Sequence, residues 1–127
     1  MVGATNKTNE KASYSNFGKF IDIVAPGGAW DIVSIDKMGN DGYSNTDYYE
    51  KFAGTSAATP IVAGAIALAR QARPDLNATI IMDLVRITAD KIGSEPYSNC
   101  GKLGCRNDIY GYGKLNLDRF IEAVEKY

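Results

Sequence analysis

The sequence changes character at Gly54, and this change constrains the fold more than any other feature. Before Gly54 the apolar residues occur in short runs that are rich in β-branched and aromatic side chains. After Gly54, longer stretches rich in Ala, Ile and Leu show helical spacing. Strands followed by helices that pack on them predict an α/β sandwich, or part of one.

Four strands are predicted in the first part of the chain, at residues 2–5, 20–25, 31–36 and 48–53. Pro26, Gly27 and Gly28 follow the second strand and are typical of a turn that closes it. Residues 36–47 contain two glycines and must turn, so the last two strands are predicted to form an antiparallel hairpin with a long tip.

The first helix after Gly54 has a predicted buried face with helical spacing, formed by Ile61, Ala65, Leu68 and Ala72. Few charged residues precede Arg70, so this helix is expected to be buried on most sides. Pro60 falls in its first turns, where the missing N–H is expected to lack an acceptor in any case, and Pro74 ends it.

Two further helices are predicted. Asn77 is the expected cap of the second, which runs to residue 89 or 91, with Gly93 just beyond its end. Its predicted inner face consists of Ile80, Leu84 and Ile87, with Val85 as a further candidate. Asn116 is the expected cap of the third helix, whose apolar residues at helical spacing are Leu117, Phe120, Ile121 and Val124.

Composition excludes several classes of function. The 127 residues carry 14 basic and 15 acidic side chains, so no basic surface for nucleic acid is expected. The apolar stretches are far shorter than the ~20 residues of a bilayer span, and no signal-peptide pattern is visible. The chain has no histidine, so it cannot by itself hold a Ser-His-Asp site, a Cys-His site or an imidazole metal site.

The segment from Gly54 to Pro60 is the most informative part of the sequence. A strand leads into Gly54, and Thr55 and Ser56 then begin a long apolar helix. Unpartnered N–H groups and the helix dipole stabilise an anion beside Ser56, as a serine nucleophile requires. Gly54 has no side chain and lets a substrate backbone approach closely. On local grounds alone, Ser56 or Thr55 is more simply an N-cap, the residue that caps the helix start.

The same segment resembles the block around the nucleophile of the subtilisin-like serine proteases. It reads GTSAATP and continues with Val62-Ala63-Gly64-Ala65. Three other segments, at residues 2–18, 22–27 and 110–116, resemble the family in the same order and at similar spacing. The resemblance covers nearly the whole chain, which favours Ser56 as a nucleophile over Ser56 as a cap.

The resemblance implies an endopeptidase in which Ser56 attacks the scissile carbonyl, a His accepts its proton and an Asp orients that His. The Ser56 N–H and an Asn side chain form the oxyanion hole, and Gly54 and Thr55 lie on the substrate side. In the family the Asp, His and Asn precede the serine, upstream of the region matched here. We therefore expect residues 1–127 to be the C-terminal portion of one catalytic domain, part of a three-layer α/β sandwich.

Several expectations about partners follow from this resemblance. The partners are a polypeptide substrate and the N-terminal portion of the domain, on the same parent chain or a separate one. The isolated chain is expected to be inactive without a general base, and to self-associate through exposed apolar surface. The parent protein is expected to be secreted or at the cell surface and to need no cofactor. The alternatives are a non-catalytic interaction module and a subunit that is completed by a separate N-terminal chain.

Cys100 and Cys105 flank a short segment that contains two glycines, Gly101 and Gly104. Because glycines make a tight loop feasible, a local disulfide is the favoured state of this pair. Free thiols stay open as an alternative, and a metal site is the least favoured because no histidine is available.

The hairpin tip contains the oxygen-bearing residues Asp36, Asn40, Asp41 and Asp47. They offer ligands of the kind that calcium prefers, and relatives in the resembled family often bind calcium. Their spacing matches no specific calcium loop, so a solvated turn is favoured and no metal ligand is assigned.

Overall fold

A computed structural model describes residues 1–28 and 32–127. Within these ranges the chain forms the following elements: β1 (Val2–Thr5), β2 (Ile23–Pro26), β3 (Ile32–Ile35), β4 (Tyr48–Phe52), α1 (Thr55–Ala72), α2 (Ala78–Ile87), β5 (Asn99–Gly101), β6 (Gly104–Arg106) and α3 (Leu117–Lys126). The predicted α/β class is confirmed. The short hairpin of β5 and β6 was not predicted, and Asp31 of the predicted third strand lies outside the described residues.

The buried sheet is built from β1 and β2, which pair in parallel with Val2 opposite Ile23 and Thr5 opposite Pro26. Residues 113–115 run beside β2. The Val24 N–H donates to the Gly113 carbonyl and the Leu115 N–H donates to the Val24 carbonyl, both at 2.9 Å. The predicted start of β2 at residue 20 is wrong, since Phe20 is 69% exposed and pairing begins at Ile23.

The predicted antiparallel hairpin is confirmed, with β3 and β4 paired and a register irregularity between Ile32 and Ser34. At its tip the Asp36 carboxylate accepts hydrogen bonds from the backbone N–H groups of Lys37 at 2.9 Å and Ser44 at 2.8 Å. The tip is therefore closed by an aspartate that satisfies backbone donors within its own turn.

Helix α1 carries two apolar stripes, and the predicted buried face is only partly correct: Ala65 lies in the core, whereas the other three predicted residues do not. The inner stripe, which packs into the core with β1 and β2, consists of Ala58, Val62, Ala65 and Ala69. The outer stripe consists of Ile61, Leu68 and Ala72; Ile61 is 37% and Leu68 48% exposed. Small alanine side chains let the helix approach the sheet closely, whereas the larger Ile and Leu favoured the neighbouring stripe. The expectation of a helix buried on most sides is therefore wrong.

The start of α2 is confirmed, because the Asn77 side chain accepts a hydrogen bond from the Ile80 N–H at 2.9 Å. The helix ends at Ile87, earlier than predicted, so Gly93 is not its cap. Thr88 follows, and its hydroxyl donates to the Leu84 carbonyl at 2.7 Å. The inner face contains Ile81, Leu84 and Val85, while Ile87 is 52% exposed, so the prediction of Ile87 in the core is wrong.

The third helix agrees with its prediction. The Asn116 side chain accepts from the Arg119 N–H at 3.0 Å, and Phe120 and Val124 are fully buried against the core. Within residues 1–28 and 32–127, no helix has the length and apolar character needed to cross a bilayer.

Candidate active site

Ser56 lies just after the second strand of the hairpin, at the start of the long helix. Strand β4 ends at Phe52 and α1 begins at Thr55, so Ser56 is the second residue of an 18-residue helix and its side chain is exposed. We call residues 53–56 the Ser56 turn. Within it Gly54 has φ 120° and ψ 167°, a backbone conformation that favours glycine. The helix begins at the next residue.

The helix start is capped by backbone alone. Gly54 is the N-cap residue, and no side chain in the described part of the chain makes a capping hydrogen bond. The Gly54 carbonyl accepts from the N–H groups of Ala57 at 2.9 Å and Ala58 at 3.2 Å. The interpretation of Ser56 or Thr55 as an ordinary N-cap is therefore wrong, because both residues are already inside the helix.

The environment of Ser56 favours negative charge. Among the described residues, neither the Ser56 hydroxyl nor the Ser56 backbone N–H makes a hydrogen bond. The first turn of α1 contains no acidic residue, so nothing on the helix opposes the positive end of its dipole. An oxyanion next to Ser56 would meet a free N–H donor and a favourable helix dipole.

Pro60 lies in the first turns of α1, as predicted, but the backbone N–H that it lacks would have had an acceptor. It is the sixth residue of α1, where an ordinary N–H would donate to the Ser56 carbonyl four residues earlier. The expectation that this N–H would lack an acceptor is wrong, and the proline instead frees the Ser56 carbonyl from its helical partner. The neighbouring Thr59 hydroxyl donates to the Thr55 carbonyl at 2.8 Å.

The Ser56 turn rests on the residue that follows β2. The Gly54 N–H donates to the Gly27 carbonyl at 2.8 Å, and it also lies 3.1 Å from the Tyr14 hydroxyl. The Tyr14 hydroxyl in turn donates to the Gly27 carbonyl. The sequence analysis did not predict a role for Tyr14 at this site. The available signal was that Tyr14 lies in the segment at residues 2–18, which resembles the family.

The two cysteines lie on the small hairpin away from these contacts. Cys100 and Cys105 face each other across β5 and β6 and are joined by a disulfide with an S–S distance of 2.05 Å. The Lys91 ammonium group donates to the Cys105 carbonyl at 2.7 Å and also to the Tyr112 carbonyl, and so connects this hairpin to the segment before α3. In the described part of the chain, no three His, Cys, Asp or Glu side chains form a group that could hold a metal ion.

Known proteins resemble this chain over most of its length. The model of the Subtilase family matches residues 1–113. The cell wall-associated protease of Bacillus subtilis (strain 168) is 33% identical, over 98% of this chain and 14% of that protein. Subtilisin Savinase of Lederbergia lenta is 35% identical, over 92% of this chain and 35% of that protein.

Solved structures lead to the same family. The crystal structure of the serine protease of Aeromonas sobria superposes with a TM-score of 0.85 and 26% identity, covering 99% of this chain and 29% of that protein. The chain thus spans between 14% and 35% of the length of these relatives. From the family model, the sequence identities and the shared fold, we conclude that this chain belongs to the subtilase family.

Proposed function

We propose that this chain is the C-terminal portion of a subtilisin-like serine endopeptidase domain and that Ser56 is its nucleophile. The observation that carries the proposal is the state of Ser56 at the start of α1. Its side chain is exposed, it takes no part in capping, and its own N–H is unpartnered among the described residues. These are the properties that acyl transfer to serine requires.

In the proposed reaction, the Ser56 Oγ attacks the carbonyl carbon of the scissile peptide bond. The Ser56 N–H donates to the oxygen that becomes negative, and the helix dipole stabilises the same charge. The proton leaves Ser56 for a His and then goes to the departing amine as the C–N bond breaks. Water releases the acyl group from Ser56. Gly54 and Thr55 border the approach of the substrate to this serine.

The remaining catalytic groups are supplied by the N-terminal portion of the domain. The chain contains no histidine that could accept the proton of Ser56. Members of a Ser-His-Asp site act as a unit, and a serine without its base loses nearly the whole rate advantage. We therefore propose that the isolated chain does not cleave peptides and that the activity belongs to the complete domain.

Covalent labelling with a fluorophosphonate tests this proposal. The chain is labelled alone and then together with the N-terminal portion of a subtilase domain, supplied from the upstream coding region or as a separate chain. We expect labelling only in the combination, and none in the Ser56→Ala variant. A combination that binds but leaves Ser56 unlabelled would instead favour a non-catalytic interaction module.

We propose that the parent protein acts outside the cytoplasm, on polypeptides. One of the relatives is named a cell wall-associated protease, and the Cys100–Cys105 disulfide suits an oxidising compartment. No cofactor takes part in the proposed bond cleavage, and any calcium bound by the parent would have a structural role.

A further inference from the structure

The junction between Gly27 and Gly54 holds the Ser56 turn in place, and it is unusually close. A Cβ atom added to Gly27 would lie 2.6 Å from the Gly54 carbonyl oxygen. The Gly54 N–H donates to the Gly27 carbonyl, so the contact between the two backbones is direct. Because Gly54 lies two residues before Ser56, any shift at this junction displaces the Ser56 N–H and Oγ.

The side chain of Tyr14 makes hydrogen bonds at this junction. The Tyr14 hydroxyl donates a hydrogen bond to the Gly27 carbonyl and accepts one from the Gly54 N–H at 3.1 Å. One hydroxyl therefore binds both partners of the backbone contact. The Gly54 N–H is shared between two acceptors, and both hold it in the φ 120° conformation that leads into α1.

The segment that carries Tyr14 is itself firmly attached to β1. The buried Ser15 hydroxyl accepts from the Ala4 N–H at 2.9 Å, and the Ala12 N–H donates to the Ala4 carbonyl at 2.9 Å. The Lys11 ammonium group also donates to the Ser15 carbonyl at 2.9 Å. The backbone on both sides of Tyr14 is thus anchored, which allows its hydroxyl to act as a fixed support.

We propose that Tyr14 is a positioning residue for the nucleophile: its hydroxyl holds Gly27 and Gly54 together and so sets the position of Ser56. This inference rests on the proposed function, and Tyr14 acts through Gly54 rather than on the reacting atoms. Tyr14 is 45% exposed, so its hydroxyl contacts, more than its burial, distinguish this residue. Removal of the hydroxyl removes both of these hydrogen bonds.

The Tyr14→Phe variant tests the proposal in the complete domain, with Tyr127→Phe as the matched control. Tyr127 follows α3 as its C-cap residue, is 62% exposed and lies outside the site. We expect kcat per fluorophosphonate-titrated site to fall about threefold to tenfold in Tyr14→Phe, with KM for a short peptide unchanged. Counting active sites separates a misplaced nucleophile from a smaller folded fraction. An unchanged kcat per site, or a change in KM alone, would overturn the proposal.

Amide hydrogen exchange provides a second measurement that does not depend on activity. In Tyr14→Phe the Gly54 N–H keeps only the Gly27 carbonyl as acceptor, so we expect its exchange to accelerate while amides in α3 are unaffected. Unchanged exchange at Gly54 would overturn the inference even if the protein proved inactive. If Ser56 of the unmodified complete domain is not labelled by the fluorophosphonate, the proposed function is contradicted. The exchange rate of the Gly54 amide then still tests whether Tyr14 holds the Ser56 turn.

Discussion

Gly27 shows how strongly a single residue position limits the approach of β2 to the Ser56 turn. An added Cβ would lie 2.6 Å from the Gly54 carbonyl oxygen, 3.0 Å from the Ala4 Cβ and 3.1 Å from the Ala58 Cβ. The first of these partners is backbone and cannot rotate away. Glycine at this position is therefore required by close approach, in contrast to Gly54, where the backbone angle is the reason.

Gly27→Ala is expected to destabilise the chain by about 1–3 kcal/mol, because the methyl group forces β2 and the Ser56 turn apart. The free energy of unfolding in denaturant measures this. Gly64→Ala is the matched control, since no atom of the described residues outside the helix's own backbone lies within 4 Å of an added Cβ at that position. The control is expected to be neutral or slightly stabilising, and equal stability of both variants would contradict the packing at Gly27.

Asp36 is the second residue whose chemistry follows from its local contacts. Partial desolvation favours a higher pKa, but N–H groups of Lys37, Ser44 and Tyr43 donate to the carboxylate and together hold the pKa of Asp36 below its usual value. The folded hairpin tip therefore prefers the ionised carboxylate.

The hairpin tip is expected to lose stability in acid. A lowered folded-state pKa contributes stability that is complete above the ordinary aspartate pKa of about 4 and is lost as the pH falls through the folded-state value. NMR titration of the Ser44 amide and the Asp36 carboxyl from pH 7 to pH 2 would show this transition. In Asp36→Asn the Ser44 amide should lose this pH dependence, and an identical titration of that amide in both proteins would contradict the assignment.

The two ends of helix α2 differ in whether the local sequence determines them. Its start depends on Asn77, whose oxygen satisfies the Ile80 N–H, and this interaction is visible in the sequence. Its end depends on packing after Thr88, where the backbone N–H of Asp90 donates a hydrogen bond to the Lys114 carbonyl at 2.8 Å. That partner is distant in sequence, and the helix consequently stops earlier than its composition suggests.

Asn77→Ala is expected to cost about 1 kcal/mol of folding free energy, because one N–H at the start of α2 loses its acceptor. Thermal or denaturant unfolding measures the effect. Asn77→Asp keeps an oxygen acceptor at the same place and should retain nearly full stability. If the aspartate variant lost as much as the alanine variant, the cap would not be the source of the stability.

The molecule as a whole leaves apolar surface uncovered. The outer stripe of α1, with Ile61 and Leu68, lies exposed along the helix that carries Ser56. The chain also spans only 14–35% of the length of its subtilase relatives. We propose that this stripe is covered by the N-terminal portion of the domain, and that without it the chains associate with one another.

Sedimentation of the isolated chain is expected to show concentration-dependent self-association, and Leu68→Gln should weaken it. Ile87→Gln is the control, since Ile87 is similarly exposed at 52% but lies on α2, outside the stripe. A chain that stays monomeric and unfolds cooperatively would contradict this expectation. An equal effect of both variants would show that the association does not involve α1.

The sequence by itself determined the order of β1 to β4 and of the three helices, the β3–β4 hairpin, the caps at Asn77 and Asn116, and the resemblance around Ser56, but not the small β5–β6 hairpin. These features depend on turn residues, side-chain periodicity and short motifs, all of which act over a few neighbouring residues. For α3 the apolar residues at helical spacing were identified, and of these Phe120 and Val124 lie in the core while Leu117 is 43% exposed.

Only the tertiary structure decided which stripe of α1 is buried, where α2 ends and how the Ser56 turn is held. Both stripes of α1 are apolar, so the choice depends on how closely alanines let the helix approach β1 and β2. The contact of Tyr14 with Gly27 and Gly54 joins residues up to 40 positions apart. Such contacts arise from the packing of distant segments, which no local pattern encodes.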